Sequence, residues 1–170
     1  MIDPANGTWG DLAIESIIVG IIATLVADLW SWLLRAIAKI PGGNWAFVGR
    51  WVAGFPRGVF VHHPISAAAP VRGELAIGWA FHYVVGIVYA AVYLLMVTLG
   101  LNTQPSLTSA LLFAWVTLIA PWFVMQPALG LGFMAARAPK PAVSRAISVS
   151  VHTWFGIGLY LGALAWSTMK

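Results

Sequence analysis

The chain has 170 residues, of which 61% are hydrophobic and only 8% charged, with a mean hydropathy of +0.88. Soluble domains carry about 25% charge, so lipid must cover a surface this apolar. The formal net charge of +4 comes from thinly spread Lys and Arg with no basic run, which excludes nucleic acid and points to membrane lipid as the partner.

The first fifteen residues carry Asp3, Asp11 and Glu15 and no basic residue. A secretory signal begins with a basic segment, so the first apolar stretch is expected to remain as a transmembrane helix. A bilayer core of about 30 Å needs ~20 apolar residues. Stretches at roughly 12–39, 74–99, 106–136 and 143–168 qualify. The predicted fold is all-α: one polytopic domain over residues 1–170, with four transmembrane helices in a bundle. In the third span Pro121 and Pro127 each lack a backbone donor, which predicts a kink or break. The membrane exit of that span then falls anywhere from Gln126 to Arg137.

The loop at 40–73 is no ordinary polar linker. Its segment IPGGNWAFVGRWVAGFPRGVF is apolar, with Arg50 and Arg57 interspersed. Asn44 is placed to cap a short helix from Trp45 to Ala53. Trp45, Val48, Trp51 and Val52 share one face of that helix, which suits a helix lying in the headgroup plane. A re-entrant segment packed on the bundle is the competing geometry. His62 and His63 beside Pro64 read as exposed or interfacial loop residues.

Basic residues fix the direction of the spans. Arg35, Lys39, Arg50, Arg57 and Arg72 flank loop 40–73, and Arg137, Lys140 and Arg145 flank loop 137–142, leaving only Lys170 elsewhere. Basic loops stay cytoplasmic. The expected location is therefore a bacterial inner membrane with both termini periplasmic and loop 40–73 cytoplasmic. Trp9 and Trp166 then fall at the outer interface, where indoles prefer to sit.

This topology brings four polar residues to one depth. Asp28, His82, Gln126 and His152 each lie roughly 8–10 residues from the inner end of their span, or 12–15 Å deep. A mid-membrane ionisable group is costly, so Asp28 needs a partner or a task, with His82 or His152 as the partner. The stripe Ser16, Gly20, Thr24, Asp28, Ser31 is spaced to face the bundle interior, as are Gly78, His82, Gly86, Tyr89 and Arg145, Ser148, His152, Gly156. Gly158 and Gly162 form a close-packing pair, serving this bundle or another chain. Trp30, Trp122 and Trp154 sit near the polar layer, either as packing aromatics or as the wall of a pocket for a flat or cationic ligand.

The stretch NWAFVGRWVAGFPRGVFVHHPISAAAPVRGE, then GWAFHYVVG, PWFVMQPALGLGF and HTWFGIGLY, resembles a bacterial family catalogued only as a domain of unknown function. The resemblance runs from about Thr24 to Gly162. Its motif positions include Arg50, Trp51, Arg57, His63, Glu74, His82, Gln126 and His152. It implies a small four-helix inner-membrane protein and supplies no activity.

Three functions compete. An accessory, non-enzymatic subunit of a larger membrane complex fits the small size and the Gly158/Gly162 face. A proton- or ion-coupled transporter, acting as a dimer, would use Asp28 as its titrating group. A haem- or metal-binding protein would use His82 and His152, with haem b between the two, or zinc with Asp28 added. Cysteine is absent, which removes thiolate chemistry and c-type haem attachment. No G-x-S-x-G, Walker loop, H-E-x-x-H or dinucleotide fingerprint occurs, so an enzyme ranks last and no cofactor is the simplest expectation.

Overall fold

A computed structural model describes residues 8–40 and 42–169. Most of the acidic segment Met1–Asp11, and Lys170, therefore lie outside the described residues. Among those described there are helices and turns and no strand. Helix α1 runs Trp9–Ala38, α2 Trp45–Val52, α3 Glu74–Leu95, α4 Leu107–Val116, α5 Gln126–Ala128 and α6 Pro141–Thr168. Four stretches are long and apolar enough to cross a membrane: Trp9–Ala38, Glu74–Thr98, Leu107–Ala128 and Pro141–Thr168. Side chains such as Leu25, Leu29, Val84, Val88 and Val116 are exposed on their outer faces, as a lipid-covered bundle requires.

The ends of these helices follow from local chemistry. Thr8 and Asp11 form a capping box at the start of α1. Asn44 caps α2 by accepting from the backbone of Ala46 and Phe47, as its sequence position predicted. Ser106 and Ser109 cap α4 reciprocally, and Pro141 occupies the first turn of α6, where its missing N–H costs nothing.

The third span is irregular at its prolines, as their missing donors predicted. After Val116 the chain passes through a turn and then a wide π-helical turn at Pro121–Met125, because Pro121 offers no N–H to the preceding turn. The span ends at Ala128, inside the expected exit range of 126–137 but short of the apolar stretch that runs to 136. Gly130 adopts φ 87°, and the Leu131 N–H to Gln126 C=O and Gly130 N–H to Pro127 C=O bonds (both 2.9 Å) close a Schellman-type end. Residues 129–136 are as apolar as a helix, so hydropathy did not distinguish them from one.

The spans form a ring in chain order. α1 packs along α3 on one side and α6 on the other, and α4 packs on α6. A Cβ at Gly158 or Gly162 would lie 2.6 Å from the Ala23 Cα or 3.0 Å from the Val19 Cα. This pair therefore packs inside the bundle, against α1. Gly20 faces the backbone of Ile87, and Gly86 faces Thr24, which brings α1 and α3 equally close. α3 and α4 instead meet through side chains, with Tyr93 Oη 2.9 Å from Ser109 Oγ and the Tyr89 ring edge-on to Phe113.

Helix α2 lies on the first turns of α3. Gly49 meets the Glu74 carbonyl, and Gly78 meets the Trp45 carbonyl. The apolar face expected to meet lipid meets protein: Val48 and Trp51 are buried with Ile65, Ala128 and Leu129, and Trp45 and Val52 pack beside them. Arg50 locks the arrangement. Its Nε and Nη2 donate to the two Glu74 oxygens at 2.8 Å each, and its Nη1 donates to the carbonyls of Ala68 (2.6 Å) and Ile65 (3.3 Å). Hydrogen bonding to Glu74 raises the Arg50 pKa above its ordinary value. Glu74 also accepts from Val71 N–H at the N-terminus of α3, where a carboxylate suits the helix dipole.

Two outcomes follow. Gly49→Ala places a methyl on the Glu74 backbone and should destabilise the protein by about 1–3 kcal/mol, read as an earlier melting transition in detergent. Gly43→Ala, with nothing near its Cβ, should leave melting unchanged. Arg50→Gln frees the 54–73 loop, so limited trypsin digestion should cut several-fold faster at the exposed Arg57 and Arg72.

Candidate functional site

Asp28 sits one turn after Thr24 and one turn before Ser31 on α1, so all three share a face. Two neighbouring residues of α3 hold its carboxylate. His82 Nε2 lies 2.9 Å from Oδ1, and Tyr83 Oη donates to Oδ2 at 3.1 Å. Both carboxylate oxygens are therefore engaged, which is how a bundle accommodates an acid that lipid would reject. The imidazole is enclosed by aromatic rings. Trp45 of α2 lies over it with ring centres 4.0 Å apart, and Trp79 is 5.7 Å away edge-on. His82 and Asp28 keep 20% and 22% of their side-chain surface accessible, so the pair borders open space.

That space is a cavity of about 330 Å³ within the bundle. Thr24, Ala27, Asp28 and Ser31 of α1 form one wall and Phe81, His82, Val85, Gly86 and Tyr89 of α3 another. Val151, His152 and Phe155 of α6 face them, Ala120–Met125 closes one side, and Trp45, Val48 and Trp51 of α2 another. The cavity occupies the gap left where α3 and the proline segment part.

The polar layer expected from depth is thus brought together in part. Asp28, His82 and His152 line one cavity, with Asp28 and His82 in direct contact. His152 does not join them. Its Nδ1 is 3.0 Å from the Ser148 carbonyl of its own helix. Gln126 is buried but lies outside the cavity lining, and its Oε1 has no partner. Its position follows from the early end of the third span, which places Gln126 in the last turn beside the 62–65 loop: His62 N–H donates to the Ala128 carbonyl at 2.7 Å.

Among the described residues, no three of His, Cys, Asp and Glu gather closely enough to hold a metal ion. The zinc set of Asp28, His82 and His152 therefore fails on geometry. His82 directs Nε2 at Asp28. The same Asp28 bond occupies the His82 nitrogen that a haem iron would need.

Other expectations resolve by residue. Trp30 and Trp154 stack at 5.1 Å, with Trp30 Nε1 donating to Ser150, outside the cavity lining. They serve packing, as does Trp122, whose indole nitrogen is buried without a partner. The aromatic wall belongs instead to Trp45, Trp51, Phe81, Tyr89 and Phe155. Of the loop motif, Arg50 and Glu74 pair, and Trp51 Nε1 donates to the Phe60 carbonyl at 2.8 Å. Arg57 and His63 are exposed, and His62 is half-buried. Sequence reasoning missed Tyr83. Adjacent helical residues point about 100° apart, so no stripe places it with His82. An acid needing two donors was the available signal.

Residues 17–166 match the family described as a protein of unknown function, DUF2938. The chain belongs to that family. Every cavity-lining residue falls within the matched region, so the site lies in the part that defines membership. No curated protein and no solved structure matches the chain.

A double-mutant cycle tests the pair at the centre of this DUF2938 site. Asp28→Asn and His82→Leu, unfolded in mixed micelles, should show a coupling energy on the order of 0.6–1.7 kcal/mol. Strictly additive effects would mean that the two side chains do not interact.

Proposed function

We propose that the protein binds a small molecule inside its bundle and carries it across the membrane in exchange for a proton held between Asp28 and His82. The observation that carries this reading is the cavity itself: about 330 Å³, mostly apolar and aromatic, with an acid and imidazole in direct contact in its wall. Ligand sites have this form, an apolar hollow with few convergent polar groups. Ionisable residues that face a cavity at mid-membrane mark substrate or proton paths.

The proposed orientation places loops 40–73 and 137–142 in the cytoplasm of a bacterial inner membrane and both termini outside, by the positive-inside rule. In this orientation α2 is a re-entrant element on the cytoplasmic side, because its apolar face packs on protein. Trp45, Val48 and Trp51 then separate the cavity from that side. An accessory-subunit role loses its main support, since Gly158 and Gly162 pack against α1.

The test uses proteoliposomes with a pH-sensitive dye trapped inside and a panel of three flat naphthalene compounds: the 2-carboxamidinium, the 2-carboxamide and the 2-carboxylate. At least one should evoke saturable proton movement with the native protein. Asp28→Asn should reduce that movement at least tenfold or so, the effect expected from removing a charged hydrogen-bonding group. Proton movement evoked by no member, or unchanged in Asp28→Asn, would overturn the reading.

A further inference from the structure

The site proposed above also shows which chemistry it would accept, through the hydrogen-bond state of its walls. A hydroxyl or imidazole has a fixed set of donors and acceptors, and a backbone carbonyl can only accept. Thr24 Oγ1 donates to the Gly20 carbonyl at 2.8 Å, and Ser31 Oγ donates to the Ala27 carbonyl at 2.9 Å. Tyr83 donates to Asp28, and Trp51 Nε1 donates to the Phe60 carbonyl. His152 Nδ1 faces the Ser148 carbonyl at 3.0 Å, so Nδ1 must carry the hydrogen. Neutral His152 then presents Nε2 as a lone pair on its opposite edge.

The donors around the cavity are thus largely committed to the protein, and acceptor lone pairs remain. Those are Thr24 Oγ1, Ser31 Oγ, His152 Nε2 and the remaining lone pairs of Asp28. Among the described side chains lining the cavity, the donors with no partner are the Tyr89 hydroxyl and the Trp45 indole. Charge points the same way. No Lys or Arg of the described residues lines the cavity, whereas the carboxylate of Asp28 does. The buried guanidinium of Arg50 is committed to Glu74 and the backbone.

From this we infer that the cavity takes a flat organic cation bearing N–H donors, of the amidinium or aryl-ammonium class, and excludes anions. The ring would lie among Trp45, Trp51, Phe81, Tyr89 and Phe155, whose faces attract a cation. The N–H groups would meet Asp28 and the His152 lone pair. An anion would find a carboxylate and lone pairs, with no Lys or Arg to offset its desolvation and the His82 proton already held by Asp28. The inference rests on the transport reading for the site but concerns only what enters it.

The same naphthalene trio separates the two, because its members share a ring and differ only in charge and donors. Binding is measured by calorimetry on the detergent-solubilised full chain. The carboxamidinium should bind about tenfold or more tightly than the carboxamide, as a charge-assisted hydrogen bond predicts. The carboxylate should show no saturable binding. Asp28→Asn and His152→Leu should each lower carboxamidinium affinity about tenfold while leaving the weak carboxamide binding in place. Tighter binding of the carboxylate or carboxamide would overturn the inference and leave a proton-coupled carrier of another ligand class standing. Carboxamidinium binding without evoked proton movement would support the inference and defeat the transport reading. Binding by no member would overturn the inference. If either variant fails to fold, the ranking of the trio on the native chain still decides.

Discussion

Asp28 must find its hydrogen-bond partners inside the bundle, because hydrocarbon offers none, and much of the packing around it serves that need. The partners come from two adjacent residues of one neighbouring helix, His82 and Tyr83. Short bonds to both require α1 and α3 to run very close, and Gly20 and Gly86 allow this by removing side chains where the backbones meet. The hydroxyls that share the Asp28 face need no help from neighbours. Ser16, Thr24 and Ser31 each donate to a carbonyl four residues back on their own helix. The acid is the group on this face that demands a second helix.

Close seams on three sides of a ring produce a wide one on the fourth. Gly20 with Gly86 draws α1 to α3, Gly158 and Gly162 draw α6 to α1, and Gly156 faces Ala110 and Leu111 on α4. No such pair joins α3 to the proline segment, where Pro121 opens a wide turn. The gap would be a packing defect in a protein selected for stability alone, since interiors fill to near-crystalline density. Here it coincides with Asp28, His82 and His152. α2 lines one side of the cavity, and its position depends on contacts that leave little freedom: Gly49 on the α3 backbone, Gly78 on Trp45, and Arg50 forked onto Glu74.

Much of this was legible in the sequence because a bilayer imposes one length and one depth scale. The four spans, the Asn44 cap and the common depth of Asp28, His82 and His152 all follow from counting residues. The limits of counting show equally well. Residues 129–136 are apolar but turn, because Gly130, Gly132, Met134 and Ala135 take positive φ, and hydropathy is blind to backbone angle. Gln126 was expected at the depth of the polar layer, but the third span ends at Ala128, so it lies in the last turn and outside the cavity lining. The apolar face of α2 was correctly drawn but assigned to lipid, because a sequence reports that a face is apolar and not what covers it. Tyr83 and Trp45 complete the surroundings of His82 from positions that no helical stripe joins to it.

The engaged state of Asp28 bears on how the site would work. Each carboxylate oxygen already has one donor, so an entering N–H group would share those oxygens with His82 and Tyr83 through their remaining lone pairs. A ligand shifts an equilibrium only by its differential affinity for the two states. A neutral donor adds a hydrogen bond and leaves the charge of the pair unchanged. A cation replaces a proton shared between acid and imidazole, keeps the charge of the site constant and frees that proton to leave. Exchange then follows from one carboxylate serving both cations, and the aromatic rings over His82 supply the apolar contact that lets an organic cation compete with a proton for it.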